Sequence, residues 1–263
     1  MKAKKSLGQH FLRSSSALEK IAGELSIKEE DKVVEIGPGH GELTEKLLAH
    51  KAQVIAIEKD EELAFELKRS FENEIESCRL KIIQGDIKEI DLEEIFLEEN
   101  ISEYKLVGNI PYYITGFLLR TFLSRSLKPQ RIVFLLQKEV AQRIALSEKE
   151  SILSLSIKAY GTPKYKGVVK AGSFAPPPKV DSAILLIDDI TDRFKDKTQE
   201  ELFFRILKKG FSQKRKFLIN NLSAEFGKKD VLRSFEKCML PNDIRPEEVK
   251  LQSWLCLSEN WHK

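Results

Sequence analysis

Four short apolar runs, each closed by residues that a plain strand end does not require, constrain this chain most. Val33–Ile36 runs into Gly37-Pro38-Gly39-His40-Gly41, Gln53–Ile57 into Glu58, Leu80–Gln84 into Gly85-Asp86, and Tyr104–Gly108 into Asn109-Ile110-Pro111-Tyr112. Segments with helical spacing, Glu42–His50 and Asp60–Phe71, separate the first three. Strands alternating with helices predict a parallel sheet with right-handed crossovers, an α/β fold of the Rossmann-like kind. Ligands in such sheets bind at the carboxyl ends of the strands. Gly37, Glu58, Asp86 and Asn109 are therefore expected to converge on one site.

The pattern continues with a helix at Thr115–Leu123, a buried strand at Arg131–Gln137 and a helix at Lys138–Ala145. Ser151–Tyr160 and Tyr165–Ala171 read as further strands, and Val180–Ile187 is strongly apolar. After Asp188 strand signals vanish. Gln199–Gly210, Lys214–Phe226, Lys229–Met239 and Pro246–Cys256 all have helical spacing. The charged stretch DDITDRFKDKT suits a linker, which divides the chain into residues 1–190, the sheet domain, and 191–263, a small helical one.

Charge distinguishes the two parts. From Thr191 to Lys263 there are 16 Lys/Arg against 11 Asp/Glu, whereas the rest has 28 against 30. Residues 205–216 carry six cations and no acid: Arg205, Lys208, Lys209, Lys214, Arg215 and Lys216. Clustered cations of this kind attract phosphate backbones through counterion release, although solvated helix faces also carry such runs. No apolar run approaches the roughly 18 residues that a membrane span needs. The start, MKAKKSLGQHFL, lacks the apolar core of a secretory signal. Cys78, Cys238 and Cys256 are scattered, with no CxxC and no His at ligand spacing. That usage predicts neither a disulfide framework nor a metal site, and makes a reducing cytoplasm the default.

Glu35-Ile36-Gly37-Pro38-Gly39-His40-Gly41 is a glycine-rich strand-to-helix turn, which lets a ligand approach the backbone at a helix N-terminus. Glu58 lies 21 residues past Gly37, where a carboxylate can accept hydrogen bonds from ribose hydroxyls. Two cofactors suit that arrangement. A nicotinamide dinucleotide needs G-x-G-x-x-G, but the third position is Glu42, whose charge repels a pyrophosphate. S-adenosylmethionine has no phosphate and carries a sulfonium cation that tolerates nearby acids. The residues favour the methyl donor, with Glu58 as ribose anchor and Asp86 for the adenine amino group. Glu35 is expected to order the glycine turn or help hold the methionine end.

Asn109-Ile110-Pro111-Tyr112 supplies a side-chain carbonyl, a rigid backbone and a flat π-face, which together can hold a planar heteroaromatic amine. Asn and Pro are also ordinary turn residues. Taken with Lys5-Ser-Leu-Gly8-Gln9-His10-Phe11-Leu12, Val34-Glu-Ile-Gly37-Pro-Gly39, Gly85-Asp86 and Phe174-Ala-Pro-Pro-Pro-Lys179-Val-Asp181-Ser182, the tetrapeptide resembles the ribosomal RNA adenine N6,N6-dimethyltransferases of the bacterial KsgA/RsmA type. The first and last of these segments are not generic to methyltransferases. The resemblance implies S-adenosylmethionine contacts at His10, Leu12, Gly37, Gly39, Glu58, Asp86 and Asn109. It also implies a target of two adjacent adenosines in a hairpin near the 3′ end of 16S rRNA in the small ribosomal subunit. Many family members have Asn at the His10 position and Asn where Tyr113 stands.

On that resemblance Asn109 and the Ile110 carbonyl are expected to accept the two N–H bonds of the adenine amine, with Tyr112 stacking on the base and Phe174 flanking its other face. Lys208, Lys209, Lys214, Arg215 and Lys216 are the expected RNA grip. A cytoplasmic monomer without metal is expected. Three alternatives stay open at this point. They are a large-subunit rRNA dimethyltransferase of the macrolide-resistance type, a non-catalytic ribosome assembly factor on the same fold, and a dinucleotide oxidoreductase.

Overall fold

The computed structural model describes residues 9–111 and 114–261, so Tyr112 and the first part of the KSLGQHFL segment lie outside the described residues. The chain divides into two compact units, one running to Ala141 and resuming over Pro163–Ile190, the other comprising Gln142–Thr162 and Thr191 onward.

The first unit opens with β1 (Phe11–Leu12) and α1 (Ser15–Glu24), whose N-cap Ser14 accepts the Ala17 N–H. Then come β2 (Lys32–Ile36), α2 (Glu42–Ala49), β3 (Gln53–Glu58), α3 (Glu61–Ser70) and the short α4 (Glu72–Glu76). β4 (Leu80–Gln84), α5 (Leu92–Glu98), β5 (Lys105–Gly108), α6 (Thr115–Leu123), β6 (Arg131–Gln137) and α7 (Lys138–Ala145) follow. After an excursion through α8 (Ile152–Lys158) in the second unit, β7 (Thr162–Val169), β8 (Phe174–Ala175) and β9 (Ser182–Asp188) complete it.

The main sheet has seven strands in the order β4-β3-β2-β5-β6-β9-β7. β2 pairs parallel with β3 and β5, β3 with β4, and β5 with β6, as the alternating pattern predicts. β9 runs antiparallel to β6, with Phe134 opposite Leu185. The chain steps outward from β2 in one direction through β3 and β4, and in the other through β5 and β6. The order therefore reverses between β2 and β5, and a crevice opens at their carboxyl ends. Register sets four strand ends level there: Ile36 opposes both Ile57 and Gly108, and Glu58 opposes Gln84. Beneath the opposite ends, Lys105 reaches Asp31 at 2.5 Å, and Arg131 grips Asp188 at 3.0 Å.

The second unit contains α9 (Lys197–Gly210), α10 (Leu218–Phe226), α11 (Lys228–Lys237) and α12 (Leu251–Glu259), with α9 packed on α10 and α12 and α10 packed on α11. Four expectations need correction. The sequence division at 190/191 omits 142–162, which packs with the helical unit. Ser151–Tyr160 is a helix. Its Ser/apolar alternation mimics a strand, but Ser151 and Ser154 form a capping box and the Ser156 hydroxyl donates to the Ile152 carbonyl, so the serines satisfy helical backbone. The helix expected from Lys214 begins at Leu218, because buried Asn221 donates to the Gly210 and Gln213 carbonyls and holds 211–217 as a turn. Cys238 and Cys256 form a disulfide with Cα atoms 5.8 Å apart, a pairing that their 18-residue separation does not signal. Cysteine usage therefore no longer argues for a reducing compartment. Among the described residues, no helix is long and apolar enough to cross a membrane.

Gly108 sits where the two central strands are tightest. A Cβ there would lie 2.7 Å from the Ile36 carbonyl oxygen and 2.9 Å from Ile110 Cγ2. Gly108→Ala is expected to destabilise the protein by about 1–3 kcal/mol through this overpacking, read from urea unfolding midpoints at constant m.

Candidate active site

The crevice between β2 and β5 is lined by Gln9–Leu12, Glu35–Gly39, Glu42, Ile57–Lys59, Gly85–Lys88 and Asn109–Pro111, among others. It gathers His10, Leu12, Gly37, Gly39, Glu58, Asp86, Asn109 and Ile110 in one place. All belong to the sheet unit, and they come from four consecutive strand ends and the N-terminal arm.

The glycine turn is built for close approach. Gly37 adopts φ +68° and Gly39 φ +64°, and a Cβ on Gly39 would sit 2.9 Å from the Phe11 ring. The Gly39 N–H donates to Glu58 Oε2 at 3.1 Å, and the Asp60 N–H donates to Oε1 at 2.9 Å, which fixes the carboxylate at the end of β3. An ionised carboxylate has roughly four acceptor sites, so both oxygens can accept more. Burial pushes the Glu58 pKa up, against those two backbone bonds. Glu35, only 1 % exposed, accepts the Thr44 hydroxyl of α2 at 2.6 Å, which ties strand to helix across the turn. Burial pushes its pKa up to about 8, helped by the charges of Glu58 and Glu42.

Asp86 is held from two sides, by Lys59 Nζ at 2.7 Å and by the Lys88 backbone N–H at 3.0 Å. Burial raises its pKa, but these bonds outweigh it and the net shift is downward, so it stays ionised.

Asn109 is fixed by a long-range bond: its Nδ2 donates to the His10 backbone carbonyl at 2.8 Å. The arm carrying His10 is anchored in turn. β1 pairs antiparallel with β8, Phe11 opposite Ala175 and Leu12 opposite Phe174. His10 Nδ1 lies 2.8 Å from the Pro176 carbonyl, and Gln9 donates to Asp60 at 3.1 Å. Phe11 packs against His40 with ring centroids 4.5 Å apart.

Phe174 departs from expectation. It is 5 % exposed, belongs to the apolar cluster that contains Leu12, Leu18 and Ile21, and does not line the crevice. It packs in that cluster opposite Leu12, where it supports the arm. The basic residues lie in the helical unit. Lys208 and Lys209 end α9, with Lys209 3.6 Å from Glu225, while Lys214, Arg215 and Lys216 are exposed on the 211–217 turn. Sequence reasoning missed Gln9, Phe11, Lys59 and Lys88. The adjacency of Lys59 to Glu58 and of Lys88 to Asp86 was the available signal.

Chemically, the crevice is a buried acidic pocket with a glycine cradle. Glu42 faces it at the start of α2, where a phosphate-binding site would need that end clear. The donor set therefore suits a cationic, unphosphorylated ligand with hydroxyl and amino groups.

The model of the family described as ribosomal RNA adenine dimethylase matches residues 1–261. The chain is 40 % identical to the ribosomal RNA small subunit methyltransferase A of Dehalococcoides mccartyi, covering 98 % of this chain and 88 % of the relative. It is 34 % identical to the protein of the same name from Thermosynechococcus vestitus, covering 98 % and 97 %. Among solved structures, a dimethyladenosine transferase from Plasmodium falciparum superposes with TM-score 0.79 at 26 % identity, over 94 % of this chain and 96 % of that one. The fold is also that of the 23S rRNA methyltransferase ErmE, TM-score 0.76 at 22 % identity, over 95 % and 99 %.

The buried acid Glu35 leaves a signature in stability. Its carboxyl ionises near 4.5 in an unfolded chain but only at about 8 in the fold. Between those values the folded state holds the extra proton, so stability falls as pH rises through that window, by up to about 1.4 kcal/mol per pH unit. Urea unfolding of Glu35→Gln between pH 5 and 8 is expected to lack this slope relative to the unaltered chain.

Proposed function

This chain belongs to the ribosomal RNA adenine dimethylase family, and from that premise we propose that it dimethylates the N6 amino groups of two adjacent adenosines, in a hairpin near the 3′ end of 16S rRNA in the small ribosomal subunit, using S-adenosylmethionine. The observation that carries this reading is the Asn109 bond to the His10 carbonyl at 2.8 Å. It commits the amide nitrogen to the arm and leaves Oδ1 as the acceptor for a substrate amine.

The cofactor fits the acidic pocket. Glu58 would take the ribose hydroxyls, Asp86 the adenine amino group and Glu35 the amino-acid end, while Gly37, Gly39, His10, Leu12 and Asn109 form the walls. When bound, it supplies an electrophilic methyl group on a sulfonium. The protein's own task is to orient a poor nucleophile. The adenine amine's lone pair is delocalised into the ring. Asn109 Oδ1 and the Ile110 carbonyl accept its N–H groups, favour a tetrahedral nitrogen and aim the lone pair, which is positioning and electrostatic stabilisation without a strong base. The target base leaves its stack to reach them, and Tyr112 is the residue proposed to hold its face. For the second transfer only one N–H remains, so the pocket works with one of these two bonds.

The small-subunit target is favoured over the large-subunit alternative by the relatives' names at 33–40 % identity, since the likeness to ErmE is one of fold. The five basic residues Lys208, Lys209, Lys214, Arg215 and Lys216 would grip the rRNA backbone.

Labelled methyl transfer to unmethylated small subunits, naked rRNA and large subunits tests the reading. Label is expected on two adjacent adenosines of 16S rRNA, and label on large-subunit RNA instead would overturn it. Asn109→Ala is expected to lose transfer by at least 100-fold, about 2.7 kcal/mol or more, while RNA binding is largely kept. Near-normal turnover would sink the clamp. Neutralising Lys214, Arg215 and Lys216 together is expected to weaken RNA binding and lower the slope of log affinity against log salt by about 2–3, measured by titration at several salt concentrations.

A further inference from the structure

The crevice wall carries the acids Glu42, Glu58 and Asp86 against Lys59 and Lys88, with Glu35 mostly protonated at neutral pH by burial, so its charge does not favour a polyanion. A strand of RNA that delivers one base into it needs a cation at the rim. Lys88 stands there: it lines the crevice, and its backbone N–H fixes Asp86 at 3.0 Å. Its ammonium lies over the Phe117 ring, 5.7 Å from the centroid. Phe117 belongs to the first turn of α6, the helix entered shortly after Asn109–Pro111. It is 38 % exposed and is not part of the crevice wall. An ammonium and a partly open aromatic ring are thus joined just outside the pocket, bridging the loop after β4 to the helix after the amine clamp.

We propose that Lys88 and Phe117 form a contact for the nucleotide next to the target base, with the ring stacking on the neighbouring base and the ammonium meeting the intervening phosphate. A base turned out of its stack leaves its neighbour one phosphate away with an uncovered π-face, and aromatic rings bind such faces without regard to sequence. A cation–π contact does not neutralise the ammonium, so a phosphate can be added beside the ring. The pair sets where the strand enters, while the clamp at Asn109 selects the amine. This assignment rests on the reading above that the substrate is RNA.

The test uses the full chain with Lys88→Gln, Phe117→Ala and Phe117→Trp, each checked for an unchanged melting temperature. Lys88→Gln is expected to raise the KM for RNA about tenfold and reduce the salt slope for single-stranded RNA binding by about 0.7. Because the Lys88 charge also helps hold Asp86 ionised, S-adenosylmethionine affinity is measured by calorimetry alongside, and the RNA readouts are taken at saturating cofactor. Phe117→Ala is expected to raise the RNA KM about tenfold with the salt slope intact, and Phe117→Trp to recover it. The proposal is overturned if Lys88→Gln leaves both RNA readouts unchanged at saturating S-adenosylmethionine. A Phe117→Trp chain no better than Phe117→Ala would equally defeat it, as the mark of a packing role. Should the unaltered chain fail to methylate small-subunit RNA, the proposed substrate falls, and the binding titrations with single-stranded RNA still decide the pair.

Discussion

The hydrogen bond from the Asn109 carboxamide to the His10 backbone carbonyl is the constraint on which the site depends. It joins residues 99 apart in the chain, the end of β5 and the N-terminal arm. A carboxamide that rotates freely offers a donor as readily as an acceptor. Committing its nitrogen leaves a fixed carbonyl oxygen, which is the polarity an amine substrate requires. The arm repays this by being held itself, through the β1–β8 pairing, the His10–Pro176 contact and the Gln9–Asp60 bond. Phe174 belongs to this support. Buried opposite Leu12, it fixes the arm that fixes Asn109.

The crevice concentrates acid where burial makes acid costly. Glu58 and Glu35 both sit with raised pKa values, held by backbone N–H groups in one case and by the Thr44 hydroxyl in the other. Asp86 remains ionised because Lys59 and the Lys88 N–H outweigh its desolvation. Perturbed acids of this kind cluster at functional sites, and the proposed cationic cofactor would offset their burial on binding. The same acidity explains why the glycines matter: the backbone must come close while the side chains supply the charge. At Gly39 any Cβ would strike Phe11.

Within the helical unit, the basic turn is not a loose loop. Asn221 holds it from below through the Gly210 and Gln213 carbonyls. Trp254 seals the end of α9, lying so close that a Cβ on Gly210 would strike its ring. Phe211 stacks on the same indole at 5.6 Å. Three consecutive cations are therefore displayed on a fixed backbone. On the proposed role as an RNA grip, that would lower the ordering entropy lost when a phosphate chain docks.

The chain's own pattern was enough to establish the alternating sheet, its ligand-binding edge and the acidic, glycine-turned character of the pocket, because strand periodicity and strand-end chemistry are local properties. Gly37, Glu58, Asp86 and Asn109 could be placed at one edge from spacing alone. Tertiary structure decided what depends on distant partners. The Ser-rich 151–160 segment is a helix through local bonds that its alternation conceals, a capping box of Ser151 and Ser154 and the Ser156 hydroxyl on the Ile152 carbonyl, whereas Asn221 ended the basic run as a turn from outside it. Tertiary structure brought Cys238 to Cys256, antiparallel β9 to β6, and the arm to Asn109. It also packed Phe174 into the apolar cluster behind the arm. An aromatic residue at a strand end reads the same whether it faces a ligand or the core, and only its packing in the fold tells the two apart.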